Sequence, residues 1–251
     1  MAENRVSHRA GVTQLVECDL AKVDVAGSNP VSRSKFCPPI AMIKRLFLTS
    51  SVALLAAFSA FAQYKLETIS TPAPGLPAAY ASLLSSQGYR VVGPKGAWAE
   101  VWFAKQIPTG AKPSDNAIVF PIAQGTFLGI LRFPAQGADR RGQPIPAGVY
   151  TMRYSDFPVD GAHQGVAPQR DFALLTPVAA DPDPNAKPGF EALVAMSKKA
   201  SGSAHPAVFS LEQPSGSNFP AVSQEGDNDW VLSVKVGDLP IAIILVGTAG
   251  A

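Results

Sequence analysis

The chain contains few residues of the kinds that carry recognisable chemistry. Only two of its 251 residues are cysteine, and three are histidine. Both cysteines, Cys18 and Cys37, precede residue 63, so the rest of the chain can form no disulfide, thiolate zinc site or cysteine nucleophile. No serine lies in a G-x-S-x-G pattern, and no glycine-rich phosphate loop is present. These absences lower the expectation of a hydrolase or a nucleotide-dependent enzyme.

A basic surface is also missing beyond the first 62 residues. Those residues hold seven of the 21 Lys and Arg and four of the 19 Asp and Glu, which leaves fourteen against fifteen and a formal charge of −1. The whole-chain value of +2 therefore depends on the leading segment. We expect no nucleic-acid partner.

The stretch Met42–Ala62 has the pattern of a secretory signal peptide. Lys44 and Arg45 open it, an apolar run follows, and Ala60 and Ala62 supply the small residues of a cleavage site. We expect cleavage after Ala62 and export to the periplasm or the outside of the cell. No later apolar run approaches eighteen residues, so no transmembrane segment is expected in the mature chain.

Residues 1–41 precede that signal and are predicted to be a mis-annotated, disordered leader. The segment from Gly11 to Ser34 reads GVTQLVECDLAKVDVAGSNPVSRS. It resembles the conceptual translation of a transfer-RNA gene, which would make the leader a gene-model artefact. The alternative is a genuine polar extension without a core of its own.

The mature chain is predicted to be all-β, an antiparallel, jelly-roll-like β-sandwich with one or two short helices. Residues 63–77 are expected to form an extended tether and residues 78–251 one domain. Helices are expected over Ala78–Ser86 and over Gly189–Ala200, the second lying across an edge or end of the sandwich. Nine strands are expected, at Tyr89–Val92, Trp98–Ala104, Ala117–Ile122, Thr126–Phe133, Gly148–Tyr154, Phe172–Val178, Ala207–Glu212, Trp230–Val236 and Ile241–Val246.

Alternation along Trp98–Ala104 predicts the two faces of that strand. Val101 and Phe103 should share one face, and Trp98, Glu100 and Trp102 the other. We expect the tryptophans to point inward with Glu100 near a sheet edge, since two exposed indoles would form an unusual apolar patch. The alternative is a sugar-stacking platform of Trp98, Trp102 and Trp230.

The loop between Tyr154 and Phe172 concentrates polar side chains. His163 with Asp160 and Asp171 could bind zinc or another divalent ion or act as an acid/base pair, and His205 could join them as a second imidazole ligand. Gln164 and Arg170 are candidate ligand-binding residues. The alternative is a solvated loop and two unrelated surface histidines.

Two acidic segments have spacings that could suit calcium. Asp181-Pro182-Asp183-Pro184-Asn185 offers alternate oxygen ligands but lacks the glycine and distal glutamate of an EF-hand, so a stiff turn is the favoured interpretation. Glu225-Gly226-Asp227-Asn228-Asp229 reads equally well as a hairpin turn.

Four phrases resemble a group of uncharacterised secreted proteins of acidobacterial soil bacteria. They are GTFLGILRFP from Gly125, IPAGVYTMRY from Ile145, HQGVAPQRDFALL from His163 and HPAVFSL from His205. The resemblance implies an exported β-rich domain and assigns no activity. The resulting hypothesis is a secreted or periplasmic module that is structural or binds a small molecule, glycan or protein; the alternative is a metal-dependent enzyme centred on His163.

Overall fold

The structure, a computed structural model, describes residues 63–112, 119–157 and 170–248. Within these residues the chain forms twelve strands and two α-helices, which confirms the all-β prediction with two short helices. The helices are α1 (Ala78–Leu83) and α2 (Phe190–Ser201). The strands are β1 (Lys65–Ile69), β2 (Gly88–Gly93), β3 (Gly96–Phe103), β4 (Phe127–Phe133), β5 (Gly137–Ala138), β6 (Pro144–Ile145), β7 (Gly148–Asp156), β8 (Asp171–Pro177), β9 (Val208–Glu212), β10 (Ala221–Glu225), β11 (Asp229–Val236) and β12 (Leu239–Val246).

Ten of these strands make one sheet in the order β1-β2-β3-β4-β7-β8-β9-β12-β11-β10, with antiparallel pairing throughout. The first seven strands of that order form a meander, and the last four form a Greek key. The two halves face each other, since the indole N–H of Trp98 on β3 donates to the carbonyl of Leu245 on β12 at 2.9 Å. The fold is therefore sandwich-like.

The main core lies between the two halves of the sheet. Alternate residues of each strand point into it and are almost fully buried, so the period of two in the sequence places the apolar face inward. Among its members are Val101, Leu131, Met152, Leu175, Phe209, Leu232 and Ile243. Among the described residues, neither helix is long and apolar enough to span a membrane.

Helix α2 packs on the outer face of β8. Leu193 of the helix is buried with Phe172 and Leu174 of β8 in a second, smaller core. The helix ends as predicted at Gly202, whose φ of 64° is left-handed and suits glycine. The predicted position at an edge or end of the sandwich is wrong, because β8 is flanked by β7 and β9. The outward residues of β8 are apolar and need a cover.

The predicted tether is wrong in part, because residues 63–77 contain β1. This strand pairs with β2 in register from Lys65 opposite Val92 to Ile69 opposite Gly88. β1 is an edge strand of the sheet, and only Ile69 is buried. Because its other residues need not be apolar, the sequence shows no alternation of apolar and polar residues there. The segment after it lies across the outer face of β3, where the carbonyl of Thr71 accepts the indole N–H of Trp102 at 3.0 Å.

The faces of β3 follow the prediction only in part. A register shift between Ala97 and Ala99 interrupts the alternation beside Trp98. Trp98 therefore contacts the ring of Phe133, at 6.0 Å between centroids, whereas Trp102 faces the segment that follows β1. Both faces of β3 are covered.

Glu100 does not lie near an edge, which corrects the prediction. Its strand is flanked by β2 and β4, and the side chain is 4% exposed. It lies directly opposite Arg90 on β2 and Arg132 on β4. An interior carboxylate is stable there because both arginines pair with it, at 2.8 and 2.6 Å.

One predicted strand is wrong, and one observed strand was missed. Residues 119–122 of the predicted strand Ala117–Ile122 are not a strand; the backbone amides of Val119 and Phe120 donate to the carboxylate of Asp171 instead of a neighbouring strand. Strand β10 was not predicted. Its sequence, AVSQE, alternates weakly, and none of its residues is fully buried.

Candidate functional site

The predicted metal and ligand-binding residues are only partly described. Asp160, His163 and Gln164 lie outside the described residues. Within residues 63–112, 119–157 and 170–248, no three His, Cys, Asp or Glu side chains form a group that could hold a metal ion. The zinc or calcium site and the enzyme centred on His163 therefore stay predictions.

Asp171 is fully buried at the start of β8. Its two carboxylate oxygens accept the backbone N–H groups of Val119 and Phe120 at 2.8 and 3.0 Å, and the hydroxyl of Tyr154 at 2.7 Å. Burial, followed by the hydrogen bond to Asp171, raises the pKa of Tyr154, so the phenol stays a donor. These contacts anchor residues 119–120 to the sheet.

The backbone around Arg170 and that around His205 adjoin different positions along β8. Arg170 immediately precedes the strand, and its carbonyl accepts the N–H of Phe157 at 3.1 Å. His205 is exposed and lies two residues before Ala207, whose carbonyl accepts the N–H of Leu175 at 3.0 Å. Leu175 is four residues along β8 from Asp171, about 13 Å at the rise of a strand. His205 nevertheless lines one small cavity together with Phe157 and Phe172, next to the start of β8, although Asp171 is not among the described lining residues of that cavity.

The first candidate calcium segment already surrounds a cation, the guanidinium of Arg153. Both Arg153 and Asp181 are buried, with side chains 0% and 2% exposed. Nε and one Nη of Arg153 donate to the two carboxylate oxygens of Asp181 at 2.7 and 2.9 Å. Asp181 therefore balances an internal charge, and the favoured interpretation as a stiff turn agrees with this contact.

The remaining donors of Arg153 are also satisfied. They reach the backbone carbonyls of Gly125, Ala186 and Asp183 at 2.9, 2.6 and 2.7 Å. A guanidinium has five N–H donors, and each one has an acceptor here. Burial lowers the pKa of Arg153, but the hydrogen bonds and the charge of Asp181 outweigh that effect. The pKa of Arg153 is therefore raised. This centre is structural and has no donor left for a substrate.

The second acidic segment is a hairpin turn. Glu225 is opposite Asp229 in the pairing of β10 with β11, and Gly226 between them has a left-handed φ of 59°. Asp229 forms a two-point ion pair with Arg140, with distances of 3.1 and 2.7 Å. The turn interpretation is confirmed, and one carboxylate of the segment is occupied by an arginine.

A cleft of about 500 Å³ opens where the segment after β1, the end of β3 and the turn between β11 and β12 meet. We call it the main cleft. Backbone bonds fix its shape: Ser85 N–H donates to the carbonyl of Phe103 at 2.9 Å, and Lys105 N–H to that of Leu83 at 2.8 Å. Its volume is in the range of small-molecule sites, roughly 300–1,000 Å³.

The lining of the main cleft combines aromatic, hydroxyl and cationic side chains. Tyr89 and Phe103 lie in ring contact, with centroids 6.4 Å apart. Burial raises the pKa of Tyr89, so its hydroxyl stays protonated. Among the described residues that line the cleft, Lys105 and Lys235 are the charged ones. Polar lining residues are Ser70, Ser85, Ser86 and Gln87.

The cleft was missed by sequence reasoning, because its residues come from four separated segments. The lysines lie about 130 positions apart, and no spacing along the chain connects them. The one available signal was Tyr89 with Trp102 and Phe103 on neighbouring predicted strands, which indicated an aromatic cluster without showing that it was open.

No protein-family model, curated protein or solved structure matches the chain. The geometry of the described residues therefore carries the functional argument alone.

Proposed function

We propose that this protein is an exported binding module that holds a small anionic ligand in the main cleft. The observation that carries the proposal is the charge of the lining, whose described residues include two lysines and no carboxylate. Residues 63–251 have a formal charge of −1, so two cations without an acid in one cleft are a local departure from the average surface. An anion is the ligand that such a lining favours.

Both lysines keep bonding capacity for a ligand. Lys105 Nζ donates to the carbonyl of Ser82 at 2.7 Å, which uses one of its three donors. Lys235 pairs with Asp238 at 3.5 Å, but their side chains are 50% and 107% exposed. An exposed pair of this kind contributes little, so a ligand carboxylate can displace Asp238.

The other lining groups supply orientation. Among the described residues the Tyr89 hydroxyl has no hydrogen-bond partner, and its ring offers an apolar surface beside Phe103. A compact acid with a few carbons and additional oxygen atoms would fit this combination. Export follows from the signal-like stretch Met42–Ala62, and the mature protein is expected to begin at Gln63.

The test is titration of the purified protein with citrate and succinate, and with the uncharged analogue succinamide, by calorimetry and by thermal unfolding. We expect the acids to bind and to raise the melting temperature, more weakly at high salt because screening reduces the attraction. Lys105→Ala and Lys235→Ala should each lower the affinity about tenfold, or about 1.4 kcal/mol.

Lys65→Ala is the matched control, since Lys65 is an exposed lysine of β1 outside the lining. Its affinity should be unchanged. Equal binding of succinamide and succinate, or equal loss in all three variants, would contradict the proposal.

A further inference from the structure

A second, smaller cleft lies at the opposite end of β11. It measures about 290 Å³ and is lined by Tyr64, Gln224, Asp227, Asn228, Trp230, Val246, Gly247 and Thr248. We call it the Trp230 cleft. Trp230 is six residues from Val236, which lines the main cleft, a separation of about 20 Å along a strand. The two clefts are therefore separate sites.

The three tryptophans differ in how their indole N–H groups are used. Trp98 donates to the carbonyl of Leu245 and Trp102 to that of Thr71. Trp230 is half-buried, and its N–H has no hydrogen-bond partner in the part of the chain that the structure describes. Two indoles are thus fixed as parts of the core, while the third retains a free donor beside an open cleft.

Trp230 and Tyr64 form one aromatic surface. Their ring centroids are 5.3 Å apart at an interplanar angle of 51°. Burial raises the pKa of Tyr64, so the phenol is protonated, and within the described residues its hydroxyl has no partner either. Because Arg140 holds Asp229 through two hydrogen bonds, the backbone beside Trp230 is fixed before any ligand arrives.

The polar side chains of this cleft can both donate and accept. Amides and hydroxyls from Gln224, Asn228 and Thr248 supply this capacity. Gln224 Nε2 donates to the carbonyl of Asp227 at 2.9 Å, and its amide oxygen has no hydrogen-bond donor among the described residues. Among the described lining residues the one charged side chain is Asp227, so an anion is disfavoured.

We propose that the Trp230 cleft binds a neutral saccharide, with one sugar ring stacked on Trp230 and Tyr64. A pyranose has a face of C–H groups that packs on an aromatic ring and a perimeter of hydroxyls that donate and accept, which matches this lining. A purely apolar ligand would leave the polar groups unpaired. A quaternary ammonium would suit the aromatic rings and Asp227 but has no hydrogen bonds to offer the amides and hydroxyls.

The test is a titration of the purified protein with neutral oligosaccharides, namely tetramers of glucose, mannose, xylose and N-acetylglucosamine. Calorimetry and tryptophan fluorescence report the binding, and choline and tetragalacturonate serve as comparison ligands. We expect at least one neutral tetramer to bind and to change the fluorescence. Choline and the acidic tetramer should bind at least tenfold more weakly.

Three variants connect that binding to the cleft. Trp230→Ala should abolish it, and because that variant can also disturb folding, Tyr64→Ala and Asn228→Ala provide the second reading. Each should weaken binding at least tenfold while the melting transition persists. Lys235→Ala, in the main cleft, should leave saccharide binding unchanged, so the failure of either proposal can be recognised separately.

The proposal is overturned if no neutral tetramer binds, if choline binds more tightly than every tetramer, or if binding survives both Tyr64→Ala and Asn228→Ala.

Discussion

The buried charged side chains Arg153 and Asp171 differ from the polar side chains of the clefts in how much of their hydrogen-bonding capacity is used. Arg153 has an acceptor for each of its five donors, and Asp171 accepts three hydrogen bonds. Within the described residues, the hydroxyl of Tyr89 and the indole N–H of Trp230 have no partner. Among the described residues, two of the acidic side chains that the sequence analysis considered as metal ligands, Asp171 and Asp181, support the fold, whereas the clefts contain side chains with unused capacity.

The difference has a physical origin. A buried donor or acceptor without a partner costs about 1–3 kcal/mol, and more when it is charged, so the buried charges of Arg153 and Asp171 are paired. Four buried uncharged atoms have no partner among the described residues, on the side chains of Gln124, Thr126, Ser155 and Thr176. A group at the rim of a cleft is hydrated, and the same bonding capacity costs the fold little. Unused capacity at a rim is therefore a better indicator of function than an acidic residue in a loop.

The largest expected effect is at Arg153. Arg153→Met leaves the buried carboxylate of Asp181 without its counter-ion and three backbone carbonyls without donors. We expect the free energy of unfolding to fall by about 3–5 kcal/mol, measured by urea denaturation.

Arg132→Met is the control for that variant. The side chain of Arg132 is 35% exposed, and Glu100 retains Arg90 as a partner, so the loss should be about 1 kcal/mol. Equal losses of unfolding free energy for the two variants would show that the buried, fully hydrogen-bonded Arg153 contributes no more than the partly exposed Arg132.

The fold was largely predictable, because a strand with one buried face shows an alternation of apolar and polar residues in the sequence. Eight predicted strands and both helices are present, and Gly202 marks the end of α2 correctly. Alternation failed where burial did not enforce it, at the polar edge strands β1 and β10, and at residues 119–122, which bond to the side chain of Asp171. The bulge beside Trp98 cannot be read from residue types, because it is set by the pairing of two strands.

The candidate sites were less predictable, because they also depend on contacts between distant parts of the chain. Asp181 was identified as a possible ligand from its spacing, but its actual partner, Arg153, is 28 positions away on β7. Trp230 was identified as part of a possible stacking platform with Trp98 and Trp102, yet the indole N–H groups of those two donate to backbone carbonyls. Which polar group is satisfied depends on tertiary contacts that the local sequence does not contain.

A loss of stability smaller than that of Arg153→Met is expected for Tyr154→Phe, with Tyr89→Phe as its matched control. Tyr154→Phe removes the 2.7 Å hydrogen bond to Asp171 and leaves that buried carboxylate with two backbone donors. The expected loss of unfolding free energy is about 1.5–3 kcal/mol, as for hydrogen bonds to charged groups. Tyr89→Phe removes the same atom from a hydroxyl without a described partner, and the change should stay within about 0.5 kcal/mol. Equivalent losses in chemical denaturation would show that the Tyr89 hydroxyl is already engaged.

Apart from the two control variants, the smallest expected effect concerns Glu100. It lies between the buried and the hydrated polar groups, because its own carboxylate is buried while both of its arginine partners are 35% exposed. Glu100→Gln replaces the charge with an amide that can accept from one arginine but presents N–H groups to the other. Since water can reach both arginines, we expect a loss of about 1–2 kcal/mol at neutral pH.

The pH dependence of that loss separates the charge from the shape of the side chain. Burial raises the pKa of Glu100, but the hydrogen bonds and charges of Arg132 and Arg90 outweigh it, so the pKa lies below its ordinary value of 4.5. A carboxyl with a lowered pKa in the folded state stabilises the fold fully above the unfolded-state value. That contribution is lost as the pH falls through the folded-state pKa. The wild type and Glu100→Gln should therefore differ most at neutral pH and converge as the pH falls below 4.5 and through the lowered folded-state pKa, measured as unfolding free energies from neutral pH into acid. A difference that stays constant with pH would mean that the variant acts through packing, and that the two half-exposed arginines contribute no net stabilisation to the carboxylate between them.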